Sequence, residues 1–386
     1  MVEKMNYLIT TFEDSYFVSQ SLREDNLFDV VVLWENVNEA VEVDRIQSHD
    51  SVVVAIKDRS ARELVLDCLR QKGIPNHMLL DFFGIYNANI PFMVADRVMS
   101  NPFYEQYEGI ILGLSHAEVG IISDNLKIPF ANLAVSSQDL FYDLETFQYV
   151  LDKYASKLRN LRYLVVDMYK YNYFNFDVSR SKMAYLYYSI GGFHKHPHHF
   201  DKNPFIHMPF ENLIYQILND KFGAFTDQNI KLWNNLFEVK KELMNARFYS
   251  NYPELHTRNK IVSEREIEEY NYHPSNVMKH FSDTMAENEQ IFRMILKKAK
   301  EWNPNMRIII LQMPMLREGW ERSKQYYEPW KAEFESIMNR LKKEVDFEYF
   351  DLTKHALSEE RSNWYDVEHL NYLGALRFTD YLNGLL

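Results

Sequence analysis

Residues Glu108–Gly120 read EGIILGLSHAEVG, an apolar run that stops at Gly113-Leu114-Ser115-His116 and then turns to residues able to open a helix. A buried strand that ends abruptly at Gly-x-Ser sets a hydroxyl on a tight turn at the sheet edge. Backbone N–H groups of a helix N-terminus then stand beside it. That placement suits a serine nucleophile, and Ser115 also suits a simple N-cap. What separates the two readings lies near the other end of the chain. Asp366-Val367-Glu368-His369 leads through Leu370-Asn371 into a helix containing Gly374-Ala375. An Asp three residues before a His can fold back in one turn and accept the imidazole Nδ1–H, which leaves Nε2 free to take a serine proton. The alternative is an acidic first turn of a helix that happens to hold a histidine.

Between these two points, strand patterns alternate with helical ones. Lys127–Leu133, Arg162–Asp167 (RYLVVD), Arg307–Gln312 (RIIILQ) and Phe347–Phe350 read as short strands. Helical spacing is seen after Ala134, near Phe210–Leu218, Gln228–Met244 and Ser275–Lys300, and over Tyr327–Lys343. This alternation predicts a parallel five-stranded sheet with helices on both faces and a helical insertion over about 170–302. Upstream, Phe28–Trp34 and Ser51–Ile56 read as strands, Ser60–Lys72 as a helix closed by Gly73, and His77–Phe83 as a further short strand. Residues 1–89 are thus expected to form a small α/β accessory domain of half-Rossmann type, followed by a main domain over 90–386. No G-x-G-x-x-G is present, so no nucleotide cofactor is expected.

Composition narrows the function. The chain has 386 residues, 46% apolar and 25% charged, within the range of globular proteins. A net charge of -12, with no dense Lys/Arg run, argues against a nucleic-acid partner. The single cysteine, Cys68, has no partner for a disulfide or a zinc-type spacing. No uncharged apolar run reaches the roughly 18 residues of a membrane span. The opening MVEKMNYLITTFEDSYF carries acids within its apolar stretch and does not read as a secretory signal, so a cytoplasmic location is expected.

Taken together, Gly113-Leu114-Ser115 and Asp366-x-x-His369 resemble the first and last sequence blocks of the SGNH (GDSL-like) hydrolase family, with Leu114 where Asp is usual. Asn132–Ser137 is similar to the second block, with Ser137 at the usual oxyanion-hole glycine. The third block normally supplies an Asn, and here Asp167–Asn172 offers Asn172, or Tyr169 in its place. The nearest likeness is to bacterial proteins that modify cell-envelope glycans, both esterases and acyl-transfer proteins. The resemblance implies an α/β three-layer fold and a catalytic triad of Ser115, His369 and Asp366. It further implies an oxyanion hole drawn from Ser115, Ser137 and Asn172, with no cofactor. The substrate would be an acylated polysaccharide or glycan precursor, hydrolysed or trans-acylated, and glycan-assembly proteins would be partners. A catalytically silent glycan-binding or assembly protein of the same fold is the alternative.

Four further features complete the reading. Phe193–His199 holds His194, His196, His198 and His199, with Asp201 as the one nearby carboxylate. An exposed loop of the insertion, which could also lie over the active site with His194 and His196 contacting a polar substrate, is preferred there to a metal centre. Tyr169–Phe176 can line a sugar site or belong to the core. His116 and Glu118 read as the first turn of a helix, and Asp351 with His355 as a competing Asp/His pair.

Overall fold

The computed structural model describes residues 5–12, 14, 28–34, 44–86, 91–180, 198–199, 246–272 and 279–386. The chain divides into two compact units, whose described residues run to 86 in the first and from 91 in the second. The helices expected near Phe210–Leu218 and Gln228–Met244 lie outside the described residues.

The first unit contains β1 (Asn6–Thr10), β2 (Val30–Leu33), β3 (Ser51–Ala55), α1 (Arg59–Gln71), β4 (Leu79–Asp81) and α2 (Phe82–Tyr86). Its four strands are parallel in the order β2-β1-β3-β4. Tyr7, Ile9, Val32, Val52 and Val54 share a core with Val65, Leu66 and Leu69 of α1. Asp58 caps α1 by accepting the Ala61 N–H at 2.8 Å. At the other end the chain turns at Gly73, φ +82°, while Ile74 N–H reaches back to the Leu69 carbonyl. Sequence reading misses β1, which lies in the middle of this sheet. Five residues, NYLIT, are too short a run for periodicity to separate a strand from a loop.

The second unit contains, in order, α3 (Pro91–Met99), β5 (Gly109–Leu112), α4 (Ser115–Gly120), β6 (Phe130–Asn132), α5 (Leu140–Lys153), β7 (Tyr163–Asp167), α6 (Glu264–Glu269) and α7 (Ser282–Trp302). It continues with β8 (Arg307–Gln312), α8 (Arg317–Tyr327), α9 (Lys331–Lys342), β9 (Glu348–Asp351) and α10 (Tyr372–Leu385). All five strands are parallel, ordered β6-β5-β7-β8-β9. Ile111, Val165, Ile309 and Leu311 pack on one side with Phe378 and Leu382 of α10. The alternate residues Ile110, Leu164, Val166, Ile308 and Ile310 are equally buried, so both faces are covered, as a parallel sheet requires. Of the helix expected over Tyr327–Lys343, Lys331–Lys342 is α9, and a 3-10 turn at Glu328–Trp330 separates it from α8, which ends at Tyr327. Pro329 lacks the N–H that an uninterrupted helix needs there. Among the described residues, no helix is long and apolar enough to cross a membrane.

In this strand order the chain leaves β5 first towards β6 and later returns to β7 on its other side. A doubly wound sheet opens a crevice at such a reversal, beyond the carboxyl ends of the strands. Ser115 follows β5 and Asp167 ends β7, so both stand at that point.

Candidate active site

Strand β5 ends at Leu112, and Gly113 takes φ +134°, a conformation that L side chains rarely adopt. A Cβ on Gly113 would lie 2.6 Å from the Asp167 Cβ. Its N–H donates to Asp143 Oδ1 at 2.9 Å, and its carbonyl accepts from Gln138 Nε2 at 2.6 Å. The turn is therefore fixed on both sides before Ser115 opens α4. Leu114 offers no side-chain cap to that helix; the Asp167 carboxylate accepts the Ala117 N–H at 3.3 Å and the Tyr169 N–H at 2.8 Å. Gly113→Ala is expected to lose most of the folded population or shift the Ser115 turn, since it adds both strain and overlap. A large fall in the urea midpoint checks this; an unchanged midpoint with an unchanged site would refute it.

The residues at 366–369 are held as firmly. Trp364 is fully buried and donates Nε1–H to the Leu357 carbonyl at 3.1 Å. Tyr365 N–H donates to the His369 carbonyl at 2.8 Å, and Lys170 Nζ meets Glu368 Oε1 at 2.5 Å. Asn371 caps α10 by accepting the Gly374 N–H at 2.9 Å. At Gly374 a Cβ would meet the Asn363 carbonyl oxygen at 2.1 Å, so glycine there lets α10 approach the loop.

This framework brings Ser115, His369 and Asp366 into one hydrogen-bonded chain. His369 Nε2 lies 2.8 Å from Ser115 Oγ, and His369 Nδ1 lies 3.0 Å from both Asp366 oxygens. Asp366 Oδ1 also accepts the backbone N–H groups of Glu368 and His369, each at 2.8 Å. Burial opposes ionisation of Asp366, but the His369 hydrogen bond and charge, with these two N–H donors, hold its carboxyl well below the usual range.

The remaining candidates are distributed unevenly. Ser137 has φ +63°, a conformation more usual for glycine. Among the described residues, neither the Ser115 nor the Ser137 backbone N–H has an acceptor. Asn172 opens a 3-10 turn with its Oδ1 buried and unpaired, and no hydrogen bond joins it to Ser115, His369 or Asp366 among the described residues. The Tyr169 ring sits 4.8 Å from the His116 ring, while Tyr171, Tyr173 and Phe174 are core residues. His194 and His196 lie outside the described residues. Asp351 and His355 make no pair: Asp351 accepts from Tyr171 Oη at 2.5 Å, and His355 Nδ1 accepts the Leu357 N–H at 3.2 Å.

His116 and Glu118 do more than fill a first turn. His116 is 5% exposed, and its ring stacks on His369 with centroids 5.0 Å apart. Neither ring nitrogen has a hydrogen-bond partner among the described residues. Burial, then the neighbouring His369, lowers its pKa to about 3, so it stays neutral beside the triad. Glu118 is fully buried and accepts from Ser136 Oγ; burial raises its pKa to about 7, and Asp167 is likewise raised to about 7. Acids whose folded pKa is raised contribute stability that is complete below the unfolded value and lost as pH rises through the folded one. The Glu118 contribution to wild-type stability is thus expected to fall as pH rises from about 4.5 to about 7, against the opposite contribution of His116. Glu118→Gln, which cannot ionise, should flatten that fall in urea titrations. An equally steep fall in the variant would exclude Glu118 as a source.

No family model matches the chain, and no curated protein matches it. Among solved structures, the chain is similar to one described as "a putative platelet activating factor from Streptococcus pneumonia", at 9% identity and a TM-score of 0.35. That alignment covers 84% of this chain and 99% of the other. A likeness of that size identifies neither family nor function.

Proposed function

We propose that this chain is an SGNH-type serine esterase or O-acyltransferase acting on an acylated bacterial glycan or its precursor. The observation that carries the reading is the Ser115–His369–Asp366 chain, with contacts of 2.8 and 3.0 Å, at the reversal of strand order. Ser115 Oγ attacks the ester carbonyl as His369 Nε2 takes its proton. Asp366 orients and stabilises the imidazolium. Collapse of the tetrahedral intermediate breaks the ester C–O bond, and His369 returns the proton to the departing alcohol. Water or a sugar hydroxyl, deprotonated by His369, then resolves the acyl-serine. The backbone N–H groups of Ser115 and Ser137 are the oxyanion donors in this reading. His116 remains neutral and places no second positive charge against the imidazolium that forms.

A fluorophosphonate probe tests this on the full chain. Labelling of Ser115 in wild type, lost in Ser115→Ala and His369→Ala, is the expected result. A folded wild type that neither labels nor turns over a p-nitrophenyl acetate would overturn the enzyme reading. The alternative, a non-catalytic glycan-binding or assembly protein, draws on Leu114, Ser137 and an Asn172 that makes no hydrogen bond to the triad.

A further inference from the structure

In sequence, His198 and His199 have only Asp201 nearby, and Asp201 lies outside the described residues. Folding brings two other carboxylates to these histidines from distant positions. His199 Nδ1 lies 2.9 Å from Asp177 Oδ2, and its Nε2 lies 3.1 Å from Glu287 Oε2. His198 Nε2 lies 3.1 Å from Glu287 Oε1. Asp177, His198 and His199 each present a ligand atom, all within 4.8 Å of one another. The two imidazoles stack with centroids 3.9 Å apart, and His198 stacks in turn on Phe141 at 4.1 Å.

From this arrangement we infer a binding site for one divalent transition-metal ion of the zinc type, ligated by His198, His199 and Asp177, with Glu287 orienting both rings. A neutral imidazole carries one N–H and one lone pair. Both nitrogens of His199 face carboxylate oxygens, so one of the two contacts sets lone pair against lone pair unless a cation fills it. Only a second proton or a metal ion can do so. The surroundings carry further negative charge. Asp139 is fully buried, accepts the Val178 N–H at 2.9 Å and stands near both Asp177 and His198. Among the described residues, Arg180 is an opposing cation, 3.9 Å from Asp177 Oδ2 and stacked on Phe281. Two imidazoles and a carboxylate, steadied by an outer carboxylate, form a borderline donor set that suits zinc, cobalt or nickel. The ion would tie residues 198–199 to the segment after β7 and, through Glu287, to α7. Its role is structural, independent of Ser115.

The test is calorimetric titration of the chelator-stripped full chain with Zn²⁺, with Co²⁺ absorbance as the second readout. One equivalent per chain and tetrahedral-type Co²⁺ bands are expected. Glu287→Gln, a half-exposed and mild change, should weaken binding by about 10–100-fold. Asp177→Asn should abolish the stoichiometric event. Absence of saturable binding in wild type overturns the inference. Binding that survives Asp177→Asn and Glu287→Gln unchanged also overturns it.

Discussion

Replacing His369 with alanine is expected to lower kcat on an activated short-chain ester by about 10⁵–10⁶-fold, with the protein still folded. Nε2 is 2.8 Å from Ser115 Oγ, and no other base among the described residues makes a hydrogen bond to that hydroxyl. Ser115→Ala should cost about as much, and the double variant little more, because in the proposed mechanism nucleophile and base act as one unit. Asp366→Asn should cost less, about 10⁴-fold, since it spares the geometry while disturbing the tautomer that points a lone pair at serine. The order of these effects carries more information than any single value. A His369→Ala enzyme that keeps its ester turnover would show that the Ser115 chain is not the catalyst. Losses that merely add in the double variant would separate the roles of the two residues.

The parts of this site visible in the sequence are those set by local spacing. Gly-x-Ser fixes a turn within three residues, and Asp-x-x-His closes within one, so each is legible without knowing the fold. The strands Tyr163–Asp167 and Arg307–Gln312 are legible for a related reason: their continuous apolar, β-branched runs suit a buried strand of a parallel sheet. What stays hidden depends on contacts across long chain separations. Asp167 reads as the last residue of a strand, yet its carboxylate accepts the N–H of Ala117, 50 residues earlier, in the helix opened by Ser115. His116 looks like a surface first-turn residue until the stacking contact with His369 is known. Lys170 falls inside an aromatic run read for sugar binding or core, and nothing local pairs it with Glu368, 198 residues away. The Asp177 and Glu287 carboxylates are invisible beside the histidine run for the same reason.

Lys170→Ala is expected to destabilise the protein by about 3–5 kcal/mol, the usual cost of stranding one member of a buried ion pair. Lys170 is 1% exposed, meets Glu368 at 2.5 Å and lies over the rings of Tyr169 at 4.6 Å and Tyr327 at 4.3 Å. Burial works against charge on both partners. Even so, the opposite charge of Lys170 lowers the Glu368 pKa to about 2, and Glu368 raises that of Lys170. Removing the lysine leaves a carboxylate beside His369 with no cation to meet it. Glu368 must then take up a proton or swing towards water, and either movement pulls on the loop that presents Asp366 and His369. Stability and ester turnover should therefore fall together. The pH dependence gives an independent check. A carboxyl whose folded pKa is depressed stabilises above its unfolded value, and the effect is lost as pH falls through the folded one. The gap between wild type and Lys170→Ala should accordingly narrow as pH drops from about 4.5 to about 2. Lys170→Met combined with Glu368→Gln removes both charges and should recover much of the lost stability, because no ion is then stranded. If the double variant is as unstable as the single one, the lysine matters for its packing between Tyr169 and Tyr327 rather than for its charge.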